Sequence, residues 1–310
     1  MILSDKCKQH VDSCRFCWMC HHICPIGNAT GHERSTARAR ALGISLVNRE
    51  AMALEDIMDN IYECGTCGGC VNVCATGWDP VMFTKEVRLQ AALEGKLPTY
   101  IQTMVDNCIE CGNAYGKTEL CDKLSKKIAE HSADADTLLF LGADARYMAC
   151  EQAVKAIEVL EKANVSFTVL ADEPASGAQL DFLIGAADEA KEQMSAAAKA
   201  MNKFKTVVIY DPTDAKVIKR TYKEYGIDVT AKTVTFTSFI AELIKNGSLV
   251  PEKSGKTVVY QDPFQLSRDL EETEQPRDVI GAFAELHEML LNRKDTVWAG
   301  NILMAQYMPK

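Results

Sequence analysis

The chain has 310 residues, 47% of them hydrophobic, and a formal net charge of −9, so one large or two medium domains with a real core are expected. An acidic chain gains nothing from the counterion release that drives nucleic-acid binding, and that class is set aside. No apolar run approaches the ~20 residues of a membrane span, so any peripheral membrane contact is expected to run through a partner. Residues 1–9 carry no apolar stretch and no cleavage signal, which predicts a cytoplasmic chain with reduced thiols.

The first chemistry in chain order lies at Cys14, Cys17, Cys20 and Cys24, followed by Pro25. A second run, Cys64, Cys67, Cys70 and Cys74, repeats the spacing with Ala75 in place of the proline. Three thiolates at intervals of three let one tight loop wrap three irons of a [4Fe–4S] cubane. C-x2-C-x2-C-x3-C-P is the spacing of bacterial ferredoxins, in which the fourth cysteine of each run ligates the other cluster. The pattern predicts two [4Fe–4S] clusters: cluster I on Cys14, Cys17, Cys20 and Cys74, and cluster II on Cys64, Cys67, Cys70 and Cys24. Structural zinc is the rival reading, but it usually pairs two short CxxC-like arms across a spacer. A disulfide framework suits an exported chain better than this one.

Between the runs, Glu33–Leu42 and Ala51–Ile61 read as helices. The second places Met52, Leu54, Ile57, Met58 and Ile61 at helical spacing. Lys85–Gly95 reads as a closing helix with Gly95 as its stop. All four cysteine positions of the first loop are filled, so His21 and His22 are expected as N–H donors or solvent-facing residues rather than iron ligands. Phe16 and Trp18 are expected to shield the cluster from water or to serve the core.

Five cysteines remain: Cys7, Cys108, Cys111, Cys121 and Cys150. Cys108, Cys111 and Cys121 could seed a third metal site if Cys7 or Cys150 joined them; the plainer reading is buried thiols acting as small hydrophobes. From Thr137 the pattern changes. Short apolar runs at Thr137–Leu141, Phe167–Leu170, Thr206–Tyr210 and Thr257–Tyr260 alternate with helical stretches at Glu151–Lys162, Asp188–Lys203, Ala215–Tyr225 and Pro276–Leu291. This predicts βαβ units and a parallel sheet. No glycine-rich phosphate fingerprint follows these strands. Asp211 and Asp214 could offer oxygen ligands to a metal, but Asp-Pro-Thr-Asp after a strand is expected as a helix cap, with Thr213 or Asp214 at the helix N-terminus.

With the helical spacer between its cysteine runs, the amino-terminal part resembles the α-helical ferredoxin domain of succinate dehydrogenase iron–sulfur subunits. The whole chain is similar to iron–sulfur subunits with a cysteine-rich CCG domain. Among them are the C subunit of glycerol-3-phosphate dehydrogenase, the glycolate oxidase iron–sulfur subunit, lactate-utilisation iron–sulfur proteins and the fused C and B subunits of heterodisulfide reductase. Gly112, Asn113, Ala114, Tyr115 and Gly116 match the family's G-N-P-Y-G. Gln261 to Arg268 match its H-D-P-C-H-L-G-R. The implied fold class is α + α/β. An α-helical ferredoxin domain would occupy 1–97, a connector 98–135 and a two-lobed α/β CCG-like domain 136–310.

The family's further cysteines are missing. Ala143 stands for that of P-G-C, and Ala175 and Ser176 for the first C-C pair. Asp211 and Asp214 stand for those of C-P-x-C, Phe264 for that of D-P-C, and Trp298 and Ala299 for the last pair. Ala, Phe and Trp offer no thiolate, so a cluster in the second half is not expected. The resemblance implies a non-catalytic electron-transfer subunit of an oxidoreductase complex, relaying electrons between a flavoprotein and another redox partner, with the second half as a docking platform. A disulfide or quinone reductase of the heterodisulfide reductase type, or a structural assembly subunit, is the alternative.

Overall fold

The computed structural model of the chain describes residues 3–308; residues 1–2 of the expected first domain and 309–310 of the expected last one lie outside it. The part before residue 98 is helical. Asp79 opens the longest of its helices, Pro80–Leu93: its carboxylate accepts from the Val81 and Met82 N–H groups at 3.0 Å, and Pro80 sits where no N–H is needed. Gly95 stops it in the left-handed region, with φ +65°. Asp5–Asp12 packs against this helix and against Ala37–Asn48. The helix expected over Ala51–Ile61 is shorter. Asp56 accepts from the Ala53 N–H, and helical turns run only over Glu55–Ile57 and Met58–Tyr62. Residues 98–135, expected as a connector, contain two helices, Thr99–Cys111 and Asp122–Glu130, whose Ile101, Met104, Leu124 and Ile128 are buried.

Strands β1 (Thr137–Phe140), β2 (Thr206–Ile209) and β3 (Lys232–Thr235) form a parallel sheet in that order. Alternate residues point to opposite faces. Leu138, Phe140, Val207 and Ile209 enter one core, and Leu139, Leu141 and Val208 enter another. Both faces are buried, as a parallel sheet between helices requires. The run at Phe167–Leu170, expected as a strand, joins β1 only through the pair Leu138 and Thr168. Two further strands, β4 (Thr257–Val259) and β5 (Glu285–His287), pair in parallel as a second, smaller sheet. The helix expected over Pro276–Leu291 runs instead from Glu274 to Phe283, because Ala284 turns extended and feeds β5.

The first core is continuous from Leu3 to Met304, so the helical region and one face of the larger sheet share it. Helix Ala178–Ile184 makes the junction: Tyr62 donates to the Leu183 carbonyl at 2.7 Å, and Lys85 pairs with Asp181 at 2.7 Å. Gly185 is required there. A Cβ would lie 3.0 Å from the Lys85 carbonyl oxygen, on a residue with φ +64°. Among the described residues no helix is long and apolar enough to cross a membrane.

Candidate functional site

The two cysteine loops repeat one backbone shape. Phe16 and Thr66 both hold a positive φ, 54° and 50°, and so do Trp18 and Gly68, 69° and 71°. In each loop the N–H two residues on points at the first sulfur: Phe16 N to Cys14 Sγ and Thr66 N to Cys64 Sγ, both 3.4 Å. Each loop then enters a short helix, Met19–Ile23 or Gly69–Asn72, and these two helices pack together.

The fourth cysteine of the first run lies among the three of the second. Burial pushes Cys70 well above the ordinary thiol value, and neighbouring Cys64, Cys67 and Cys24 push it further. Cys67 is raised to about 11, by burial first and then by Cys64 and Cys24. In the first loop, burial raises Cys20 to about 11 together with Cys14, Cys17 and, last of these, Cys24, so Cys24 stands between the two sets of thiols. Burial alone would raise Cys74 too, but the Thr76 hydroxyl, 3.2 Å from its sulfur, and nearby backbone N–H groups hold it below the usual thiol range. Thiols that raise one another's pKa in a buried space resist ionising on their own, and a cationic iron core that neutralises them as thiolates fits that donor set.

Two buried arginines answer the charge. Burial opposes ionisation of Cys64, yet the guanidiniums of Arg40 and Arg88 bring it below the ordinary value. Arg88 donates to the carbonyls of Phe182 at 2.7 Å, Ile61 at 2.9 Å and Cys64 at 2.6 Å. Arg40 donates to the Ser35 carbonyl at 3.0 Å. The Nε–H of each arginine is buried without a partner among the described residues, an orphaned donor beside the sulfur atoms. A third arginine, Arg268, reaches back from the α/β region to the Cys67 carbonyl at 2.9 Å. Trp298 lies over the same loop so closely that a Cβ at Gly65 would overlap its ring. Sequence reading missed Arg88, Arg268 and the packing role of Trp298, because nothing in their spacing ties them to the cysteines.

The first loop has no such cover. Phe16 and Trp18, expected to shield or fill, are 62% and 44% exposed. His22 is exposed, and half-buried His21 packs edge-on to Trp18 with ring centroids 6.2 Å apart.

The positions of the missing family cysteines split into two groups. Ala143, Ala175, Ser176, Asp211 and Asp214, joined by Asp144, line a cavity of about 40 Å³. Phe264 and Trp298 instead meet edge to face, with centroids 6.2 Å apart. A cap is present, but it is Asp211 and not the expected Thr213 or Asp214: Asp211 accepts from the Thr213 N–H at 2.7 Å, and Pro212 already begins the helix. Ser176 donates to Asp214. Burial and then neighbouring Asp144 push Asp211 up to about 6, while burial and Asp211 raise Asp214 well above the carboxylate range. Acids with raised folded pKa values take up protons on folding. For Asp211 the stabilising contribution is therefore complete below the unfolded value near 3.8 and is lost as pH rises through about 6. Asp211→Asn, which keeps an oxygen for the cap, is expected to raise the melting temperature at pH 7 and to narrow the gap between pH 5 and pH 7. A melting temperature at pH 7 equal to or below that of the parent would contradict this.

The other thiols do not gather. Cys121 and Cys150 form a disulfide, which the expectation of reduced thiols did not foresee. Cys108 is buried 3.9 Å from Gln179 Oε1, and burial raises it to about 12. Among the described residues no three His, Cys, Asp or Glu side chains come together closely enough to hold a single metal ion.

Comparison with known proteins agrees with the cysteine pattern. A 4Fe–4S dicluster domain matches residues 10–78. The D subunit of dihydromethanophenazine:CoB–CoM heterodisulfide reductase from Methanosarcina acetivorans is 28% identical over 305 residues, covering 87% of this chain and 72% of the relative. Its counterpart from Methanosarcina mazei is 26% identical over 298 residues, with the same coverage. An uncharacterised iron–sulfur protein of Methanocaldococcus jannaschii is 25% identical over 90% of this chain and 57% of its own length. No solved structure matches. The chain is thus an iron–sulfur protein, carrying a 4Fe–4S dicluster domain and homologous through most of its length to the D subunit of heterodisulfide reductase.

Proposed function

We propose that the chain holds two [4Fe–4S] clusters, cluster I on Cys14, Cys17, Cys20 and Cys74 and cluster II on Cys64, Cys67, Cys70 and Cys24. It relays single electrons between a flavin-containing partner and a second redox partner, in a complex whose other subunits turn over the substrate. The observation that carries this reading is the placing of Cys24, from the first run, among Cys64, Cys67 and Cys70 of the second. Bound clusters supply reversible one-electron redox chemistry. The chain's own residues present thiolates and set backbone N–H groups toward the first sulfur of each loop. Arg40 and Arg88 offset buried negative charge at the second loop, and Trp298 keeps water from it.

The activity that the relatives are named for, reduction of a disulfide, does not carry over on these residues. Ala143, Ala175, Phe264 and Trp298 provide no thiolate where the CCG-domain proteins have one, and the cavity lined by the first two is small and acidic. We assign the α/β region, 136–310, to clamping the second loop and to docking a partner subunit. A third centre at Cys108, Cys111 and Cys121 is not part of this proposal, since Cys121 is bonded to Cys150. Anaerobic iron and sulfide analysis is expected to give about eight of each per chain, with EPR of two interacting reduced clusters. About four would refute the two-cluster reading, and about twelve would restore the third centre.

A further inference from the structure

The two loops share a backbone and differ in what they hold outward, and the difference points to a partner. At the left-handed positions the second loop uses Thr66 and Gly68, while the first uses Phe16 and Trp18. Gly68 shows that this shape needs no side chain, and a bulky residue with φ +69° is disfavoured there. The aromatic rings are therefore kept against the local backbone preference, and they serve no core. With Met19, 53% exposed, they form an apolar patch beside Cys17, itself exposed. Arg38 lies over both rings, 3.9 Å from the Trp18 centroid and 5.1 Å from that of Phe16, fixing them as one platform. Arg15 is exposed beside them and has no ion-pair partner among the described residues.

The charge of this segment is opposite to that of the chain. Residues 13–49 hold five arginines and one carboxylate, Glu33, in a protein of net charge −9. Arg40 points inward, and Arg34, Arg38 and Arg49 pair with Glu63, Glu33 and Asp12 at 3.5–3.7 Å, surface pairs of little strength except where Arg38 and Glu63 are partly covered. An aromatic centre with an arginine rim is the composition of a protein interface.

We infer that the surface formed by Arg15, Phe16, Trp18, Met19 and Arg38 docks an acidic electron-carrier protein, one that presents carboxylates around its own redox centre. This rests on the reading of Cys14, Cys17 and Cys20 as cluster ligands and adds which loop exchanges electrons with the outside. One electron leaves the carrier's reduced centre and arrives at the site held by these cysteines; no bond is made or broken. Such contacts belong to the small, transient class of interface, in which charge sets the rate of encounter.

The test is anaerobic stopped-flow reduction of the full-length, cluster-loaded chain by a reduced flavodoxin, an acidic flavoprotein, with a photoreduced deazaflavin as the small donor. The parent rate with flavodoxin should fall as salt is raised. Phe16→Thr with Trp18→Gly, the residues the second loop uses, should slow flavodoxin at least about tenfold. Arg15→Glu with Arg38→Glu should slow it similarly and remove or reverse the fall with salt, because screening then weakens a repulsion. Iron content and the deazaflavin rate should not change. Equal flavodoxin rates in parent and variants, a parent rate that rises with salt, equal loss with both donors, or a patch that proves to be buried in a self-associated form would each overturn the docking surface. Clusters that neither donor reduces would instead remove the electron-transfer reading beneath it.

Discussion

Cys24→Ala is expected to cost the protein the cluster of the other run, leaving about four irons of about eight. Its spectrum should match that of Cys67→Ala and differ from that of Cys17→Ala. The reason is spatial. Pro25 starts helix Pro25–Thr30 immediately after Cys24, and buried Cys24 contributes to the raised pKa of both Cys67 and Cys70 of the second run, as well as to that of Cys20. Its sulfur lies 3.7 Å from the Ser35 carbonyl, and Ser35 is also held by Arg40. A Cys24→Ala protein that keeps the spectrum of the second run and loses that of the first would overturn the ligand assignment.

Arg88→Met is expected to destabilise the protein by about 3–5 kcal/mol in anaerobic denaturant unfolding. Arg88 is fully buried and donates to three carbonyls, two in the approach to the second cysteine run and one in helix Ala178–Ile184. Its guanidinium also lies 4.8 Å from the Tyr62 ring centroid and 4.5 Å from that of Phe182. Methionine fills much of the volume but leaves three buried acceptors unmatched, each costing roughly 1–3 kcal/mol before relaxation. Arg88→Lys should fall between parent and Met, because an ammonium cannot span the same fork. A loss below about 1 kcal/mol would show that these carbonyls find other donors.

The cysteine runs were legible because iron–sulfur ligation needs fixed thiol spacing within a few residues. A cap in Asp-Pro-Thr-Asp was legible for the same reason, since it acts over two residues of chain, although it falls on Asp211 rather than on Thr213 or Asp214. Strands β1 and β2 were read within a residue at each end, since both faces are apolar and the run is continuous. What escaped depends on partners distant in sequence. Arg88 on an amphipathic helix reads as a solvated charge until the Phe182 carbonyl is seen above it. Phe16 and Trp18 read as shielding because aromatic residues near a cofactor usually pack inward, whereas here the left-handed loop turns them out. Strand β5 hid in a helical pattern, because three residues are too few for period two to outweigh the run before them.

The clamp over the second loop has a consequence for how the protein matures. Gly65 lies beneath the ring of Trp298, and Arg268 holds the Cys67 carbonyl, so a segment far along the chain closes the space around these thiols. On a ribosome that segment emerges after both cysteine runs. Iron and sulfide therefore have unhindered access to Cys64, Cys67 and Cys70 only during an interval before the later segment folds back. Once it has closed, Cys64 is buried while Cys67 and Cys70 stay half-buried, so the segment narrows the way in for iron and sulfide. At the first loop Cys17 stays exposed and Cys14 half-buried, so the two sites are expected to differ in how readily a lost cluster is replaced as well as in surroundings.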